Sequence, residues 1–162
     1  EVRQADPLLN LATLSQATGK LADAESLLLR LLAIHDARKG VDSLESADVH
    51  NRLGVLYSQA KALPKADESL RKSLQIREKK LGANTLPVAE SAMNLGLLMM
   101  QAGKPLDALP LMRHATAVTQ VLAGHQSELT KARWVHLERL YSTILQQGAQ
   151  ESPPASGGQS RR

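Results

Sequence analysis

The residues of this chain best suited to metal binding or acid–base chemistry are its five histidines, His35, His50, His114, His125 and His136. No two of them have the i, i+4 spacing that lets a pair of imidazoles on one helix face hold a zinc ion. The chain also contains no cysteine that could supply a thiolate ligand or a disulfide. The sequence therefore predicts no metal site, no cofactor and no disulfide framework.

Two glycine–lysine pairs, Gly19–Lys20 and Gly103–Lys104, resemble the end of a phosphate-binding loop. Such a loop needs a glycine five residues earlier and a serine or threonine directly after the lysine. Leucine occupies both earlier positions, and the lysines are followed by Leu21 and Pro105. These pairs therefore predict turns. The carboxylates are spread along predicted helix faces without an isolated apolar pair suited to proton transfer, so we expect that the chain is not an enzyme.

The composition predicts an all-α domain. Among the 162 residues, 43% are hydrophobic and only 2% are aromatic, and leucine dominates the apolar set. Leucine favours helices, whereas the β-branched and aromatic residues that favour strands are scarce. No apolar run approaches the roughly 18 residues of a membrane span. The compartment stays open, with the cytoplasm slightly favoured and with room for a targeting segment before Glu1.

The charge distribution gives little reason to expect a nucleic acid as partner. The formal net charge is +4, and residues 61–80 hold 7 basic and 3 acidic side chains. This basic stretch lacks the interleaved aromatic residues on which bases would stack. We therefore expect a protein or peptide partner rather than nucleic acid.

An internal repeat of 42 residues organises the chain. Five sets of similar residues recur at this interval without any insertion: Leu11, Leu53, Leu95 and Leu137; Leu14, Leu56, Leu98 and Leu140; Ala24, Ala66 and Ala108; Gly40, Gly82 and Gly124; Ser43, Thr85 and Ser127. Sets of different residue types in one phase are the signature of a repeat architecture.

Each set has a structural interpretation within a unit of two helices. The glycines end a long helix in a left-handed conformation, and the hydroxyl residues three positions later cap the next helix. Apolar spacing predicts seven helices, near 6–18, 21–39, 44–61, 64–81, 86–102, 105–122 and 128–147. Pro110 would interrupt the sixth helix, so we expect that helix either to start near Asp107 or to kink.

The helices group into repeats of about 6–42, 43–84 and 85–126, followed by a capping helix at 127–147. Together these form a predicted repeat domain over residues 1–147. Residues 148–162 are rich in glycine, proline, serine and glutamine, and we expect a disordered tail there because nothing in it can be buried.

Leu53, Gly54, Tyr57, Ala66 and Leu70 resemble the tetratricopeptide signature, and the 42-residue length is similar to the kinesin-light-chain type of that family. The resemblance covers roughly residues 6–147. It implies a right-handed α-solenoid of about three and a half helix pairs with a C-terminal capping helix. It also implies that the first helix of each pair lines a concave groove.

On that basis the chain is expected to be a non-catalytic protein-interaction scaffold that holds a peptide in the groove. The resemblance assigns these residues to the groove: Asn10, Asp48, Asn51, Arg52, Val55, Gln59, Glu90, Met93, Asn94, Leu97, Gln101 and His136. A stripe of polar residues is also expected on any helix face that is exposed to solvent, whether or not it binds a ligand. An alternative is a structural or regulatory arm of a larger enzyme or sensor, and an exposed terminal helix could pair with a second copy of the chain.

Overall fold

The computed structural model describes residues 7–151, and every regular element in that range is an α-helix. The helices are α1 (Pro7–Ala17), α2 (Leu21–Lys39), α3 (Leu44–Gln59), α4 (Leu63–Leu81), α5 (Leu86–Gln101), α6 (Pro105–Ala123) and α7 (Glu128–Glu151). The expected all-α class is confirmed. None of the helices described is both long and apolar enough to cross a membrane.

The helices stack in chain order. Each helix packs on the next one, and α3 also contacts α5. The leucine sets at the 42-residue interval form the core of this stack, where Leu53, Leu95 and Leu137 are almost fully buried. Their counterparts in α1, Leu11 and Leu14, are 50% and 60% exposed because no helix precedes α1 in the described range. This succession of hairpins is an α-solenoid.

Close contact between the two helices of a hairpin depends on glycine. A Cβ atom added at Gly54 of α3 would overlap Leu70 of α4, and one added at Gly96 of α5 would overlap Met112 of α6. At the same position of the repeat, α7 carries Glu138, whose side chain is exposed. A large residue is tolerated there because no second helix packs against that face in the described residues.

The ends of the helices follow the predicted chemistry with one exception. Gly40, Gly82 and Gly124 have φ values of 89°, 80° and 87°, the left-handed region that glycine adopts without strain. Ser43 Oγ accepts a hydrogen bond from the backbone N–H of Ser46, and Ser127 Oγ accepts one from that of Thr130, each at 3.1 Å.

The cap predicted at Thr85 is wrong. Its hydroxyl donates instead to the carbonyl of Gly82 at 3.4 Å. Ser43 and Ser127 each pair with a hydroxyl side chain three residues later, at 2.9 and 2.8 Å. Val88 occupies that place after Thr85, so nothing there holds the threonine hydroxyl over the helix end.

The late start expected for α6 is also wrong, since the helix begins at Pro105 and contains Pro110 in its interior. Pro105 is buried and anchors the first turn. Pro110 is exposed, so the carbonyl of Leu106 that loses its helical partner lies on a side open to water.

The C-terminal helix is longer than predicted. It continues to Glu151, past the expected end at 147, because Gly148 keeps a helical conformation instead of ending the helix. The predicted disordered tail therefore starts too early. Its remaining part, residues 152–162, lies outside the described residues.

Candidate functional site

A polar cavity of about 500 Å³ lies along the first helices of the hairpins. Its lining comes from four helices: Gln16 of α1, Asp48, Asn51, Arg52 and Val55 of α3, Arg77 of α4, and Pro87, Glu90 and Asn94 of α5. We call this cavity the groove. It spans the junction at which α3 and α5 meet.

Arg77 is the buried cation of the groove, with its side chain only 5% exposed. Its Nη2 donates to Asp48 Oδ1 at 2.6 Å, and its Nη1 donates to Glu90 Oε2 at 2.9 Å. Nη1 also donates to the carbonyl of Pro87 and to Ser91 Oγ, both at 2.8 Å. This cluster ties α3, α4 and α5 together. Both carboxylates remain 52% exposed, so the Arg77 cluster has one negative charge in excess, which the Arg52 guanidinium of the same lining balances.

Side-chain hydrogen bonds connect successive first helices at a spacing of 43 residues. The bonds are Gln16 Nε2 to Gln59 Oε1 at 2.8 Å, Asn94 Nδ2 to Asn51 Oδ1 at 3.1 Å, and Ser58 Oγ to Gln101 Oε1 at 2.6 Å. These bonds fix amide groups at defined orientations along the groove side of the stack. They also mean that part of the predicted polar stripe serves contact between helices.

The structure brings half of the predicted groove residues together. Asp48, Asn51, Arg52, Val55, Glu90 and Asn94 line the cavity. Other predicted residues lie outside its lining: Asn10, Gln59 and Gln101 are exposed, and Leu97 and His136 are half-buried.

Met93 was expected to face the groove, and the structure corrects this expectation. It is 5% exposed and belongs to the hydrophobic core. Helix α5 lies in the middle of the stack, in contact with α3, α4 and α6. A wider arc of this helix is therefore buried than on a helix that packs on two neighbours.

Arg77 and Pro87 line the groove, although neither is among the residues predicted from the sequence. The signal for Arg77 lies in α4, where Ala66, Leu70, Ser73 and Arg77 follow one another at helical spacing. The first three are buried, so the stripe places a charged residue on the packed face. A buried charge requires partners, and this requirement points to the carboxylates of neighbouring helices.

A second buried arginine, Arg133, lies at the junction between α6 and α7. Its side chain donates from Nη1 to the carbonyl of Ala115 at 3.0 Å. Burial lowers the pKa of Arg133, against an opposing effect from Glu90. Arg133 is 42 residues after Ser91, one of the partners of Arg77. The α4–α5 junction and the α6–α7 junction therefore each contain a buried arginine. In the first junction it comes from the earlier helix, α4, and in the second from the later helix, α7.

An outer cleft of about 610 Å³ lies between α2, α3 and α4 and has Tyr57 in its lining. Tyr57 Oη donates to Glu25 Oε1 at 2.8 Å, and Lys65 Nζ lies 5.2 Å from the ring centroid. Burial, and then the hydrogen bond to Glu25, raise the pKa of Tyr57 to about 12. The phenol is therefore a protonated hydrogen-bond donor at neutral pH.

Residues 7–151 bring together no group of three histidine, cysteine, aspartate or glutamate side chains that could hold a metal ion. The groove chemistry within that range thus consists of amide hydrogen bonding, one exposed guanidinium at Arg52 and the carboxylates held by Arg77. This set suits recognition of polar chain segments.

A family model for the tetratricopeptide repeat matches residues 3–79. The fold is shared with the crystal structure of BtubC (BKLC) from P. vanneervenii, with a TM-score of 0.77 and 18% identity over 100% of this chain and 73% of that one. It is also shared with a kinesin-light-chain-like protein of nearly identical repeats from Podosopora anserina, with a TM-score of 0.79 and 20% identity over 86% of this chain and 66% of that one. A variant of the Podosopora anserina protein shares the fold with a TM-score of 0.70 and 22% identity, over 93% of this chain and 74% of that one.

The chain has the repeat fold of these kinesin-light-chain-like structures, and its residues 3–79 match the tetratricopeptide-repeat family. No curated protein sequence matches it significantly. Tetratricopeptide repeats generally mediate protein–protein interaction and typically act as non-catalytic scaffolds.

Proposed function

We propose that the groove of this repeat protein binds an extended peptide segment of a protein partner, without chemistry of its own. The volume of about 500 Å³ falls in the range of ligand sites. The cavity extends over residues from α1, α3 and α5, so a ligand that fills it would follow the stacking direction across more than one hairpin.

The polar groups of the groove match the needs of an extended backbone, whose N–H and C=O groups must all find partners when they leave water. Asn94 can both donate and accept, and its bond to Asn51 fixes its amide before any ligand arrives. Fixed donors and acceptors reduce the entropy lost on binding. The exposed guanidinium of Arg52 adds donors suited to carbonyl or carboxylate oxygens.

The charges give the groove an orientation. Asp48 and Glu90 share the buried Arg77 and leave one negative charge in excess, whereas Arg52 lies one helical turn beyond Asp48. A peptide with a basic side chain over the two carboxylates and an oxygen acceptor near Arg52 would satisfy both sets of groups. The joint presence of Arg52 and Asn94 in one cavity is the observation that carries the proposal.

The test uses the chain of residues 1–162 and a random peptide library displayed for selection against it. The best enriched peptide is labelled and titrated by fluorescence anisotropy. The double variant Arg52→Ala with Asn94→Ala should lose affinity by about tenfold or more, since it removes one charged and one neutral hydrogen-bonding group. Circular dichroism should show unchanged helical content.

The matched control is Arg113→Ala with Asn84→Ala, which removes the same two residue types from exposed positions outside the groove. The control should retain wild-type affinity. A library that enriches no peptide, or a peptide that binds the groove variant as tightly as wild type, would overturn the proposal.

A further inference from the structure

One face of α7 exposes large apolar side chains in a regular stripe. The stripe consists of Trp134, Glu138, Tyr141 and Leu145, at spacings of four, three and four residues. Trp134, Tyr141 and Leu145 are 43%, 41% and 74% exposed. Residues at these spacings lie on one side of a helix. We call this set the α7 stripe.

A capping helix that stays in water needs a polar outer face, and the α7 stripe does not provide one. An aromatic side chain buries about 150–250 Å² when it is fully covered, and a partner would cover the 43% of Trp134 and the 41% of Tyr141 that are still exposed. The three apolar side chains and the exposed Glu138 between them extend along about three turns of the helix. This is the surface pattern of an interaction site.

A further helix of the ordinary repeat is a poor fit for this face. In the two preceding hairpins the position of Glu138 is a glycine, and a single Cβ there would overlap Leu70 or Met112 of the second helix. A glutamate side chain is far larger than that Cβ. Residues 152–162 are also unsuited, since they contain no leucine, isoleucine, valine, methionine or aromatic side chain.

The stripe is complementary to itself when two copies of α7 run antiparallel. With a two-fold axis between positions 139 and 140, Trp134 of one copy lies opposite Leu145 of the other, and Glu138 lies opposite Tyr141. Both pairings then occur twice. Each buried carboxylate of Glu138 receives a phenol donor, the same pairing that Tyr57 and Glu25 already make in this molecule at 2.8 Å.

We propose that the α7 stripe is a homodimer interface in which two copies of this chain pair α7 antiparallel in that register. Glu138 selects this occupant, because it excludes a close-packed repeat helix and finds a partner in Tyr141 of the second copy. Helix α7 is 24 residues long, about 36 Å. The proposed register pairs only positions 134–145, about 16 Å of that length, so we expect a small interface that associates in the micromolar range.

Sedimentation equilibrium of the full chain tests the interface over about 1 to 300 µM, which brackets micromolar association. The wild-type molar mass should rise from that of one chain to that of two. Leu145→Glu should remain a monomer throughout, and its high exposure leaves the monomer fold intact. Leu14→Glu at the opposite end of the stack, a matched change at a 60% exposed leucine, should dimerise like wild type.

A wild-type chain that stays monomeric to the highest concentration overturns the proposal. So does a dimer that Leu14→Glu dissolves and Leu145→Glu does not, since it would place the interface on α1.

The register is tested by cross-linking, for which the absence of native cysteine gives a clean background. The variants Trp134→Cys and Leu145→Cys are treated with a short bismaleimide, each alone and as an equal mixture. The mixture should yield a covalent dimer several-fold more efficiently than either variant alone, because identical positions lie about 16 Å apart along the axis. Efficient cross-linking of Leu145→Cys alone would show a parallel pair and reject the antiparallel register.

Discussion

The α3–α4 hairpin and helix α7 contain the same repeat positions but use them differently. In the hairpin, Gly54 lets the two helices touch, and Arg77 of α4 joins α3 to α5 through carboxylates. In α7, Glu138 occupies the position of the glycine, and the buried arginine is Arg133 of α7 itself. The helices therefore meet at equivalent positions in both regions, but the buried arginine at the junction comes from a different helix of the repeat in each.

The comparison shows which positions of the repeat depend on their neighbours. The leucines at the 42-residue interval are buried in both regions because each faces the preceding hairpin. The position of Gly54 is restricted only where a second helix follows. A stack of this kind is held by contacts between adjacent units, so the same substitution should have different effects in the two regions.

The largest difference is expected between the two arginines. Arg77→Ala should lower the free energy of unfolding by about 3 kcal/mol, since it removes a buried cation and leaves the carboxylates of Asp48 and Glu90 without their shared partner. This is the low end for a broken buried pair because both carboxylates are half-exposed. Arg133→Ala removes one bond to a carbonyl and should cost about 1–2 kcal/mol.

Urea denaturation followed by circular dichroism measures both values. An equal decrease in the free energy of unfolding for the two variants would show that the ion pairs of Arg77 contribute no measurable stability. An Asp48→Asn, Glu90→Gln double variant separates the contributions, because it keeps the hydrogen-bond acceptors while it removes the charges.

The next difference concerns the close contact of the helices. Gly54→Ala should destabilise the chain by about 2 kcal/mol, since the added Cβ overlaps Leu70 and over-packs the hairpin. Glu138→Ala at the same repeat position should change stability by less than about 0.5 kcal/mol in the monomer. Thermal unfolding at a concentration well below the micromolar range of dimerisation checks the pair, and a Glu138→Ala loss as large as that of Gly54→Ala would contradict the interpretation.

A smaller effect is expected at the turn inside the α3–α4 hairpin. Lys61 has a φ of 61°, whereas the equivalent turns have glycine at positions 19 and 103 with φ values of 76° and 73°. Lys61→Gly should raise stability by about 0.5 kcal/mol, since relief of the left-handed strain exceeds the entropy that glycine adds to the unfolded chain. The converse variant Gly103→Lys should lower stability. An unchanged urea midpoint in both would show that these turns carry no strain.

The fold could be predicted from the sequence because the stacking rule is local. The 42-residue interval repeats leucine, alanine and glycine in one phase, and each residue type has a direct backbone or packing consequence. The failures are also local. Thr85 lacks the partner hydroxyl that Ser43 has in Ser46, and Pro110 stays inside a helix because its side faces water. Neither outcome follows from the spacing of residues alone.

The site was harder to predict because it depends on contacts between hairpins. The residues on the groove side of the first helices could be predicted from their spacing, and six of them, four on α3 and two on α5, line the groove. Arg77 lies on a second helix and reaches the groove only through burial against α5. The burial of Met93 likewise comes from the position of α5 inside the stack, which no single helix pattern encodes.

The smallest expected effect concerns a position that differs between the two regions, His50 in α3 and Trp134 in α7. His50 is half-buried in the outer cleft, and its Nδ1 has no hydrogen-bond partner among residues 7–151. Burial lowers the pKa of His50, the charge of Lys72 adds to this effect, and Asp36 and Glu68 oppose it. The folded chain therefore takes up the proton less readily than the unfolded chain, in which histidine titrates near 6.5.

Because the unfolded chain binds more protons, stability should fall as the pH drops below about 6.5 and level off below the lowered pKa of His50. The carboxylates of Asp42 and Glu45 have pKa values lowered by Lys72 and Lys39, so they act at lower pH. We expect the loss of stability between about pH 7 and 5.5 to shrink in His50→Leu and in the neutral polar variant His50→Gln. A wild-type slope retained in both would mean that His50 does not titrate differently on folding, and the contrast with Trp134 would then rest on packing alone.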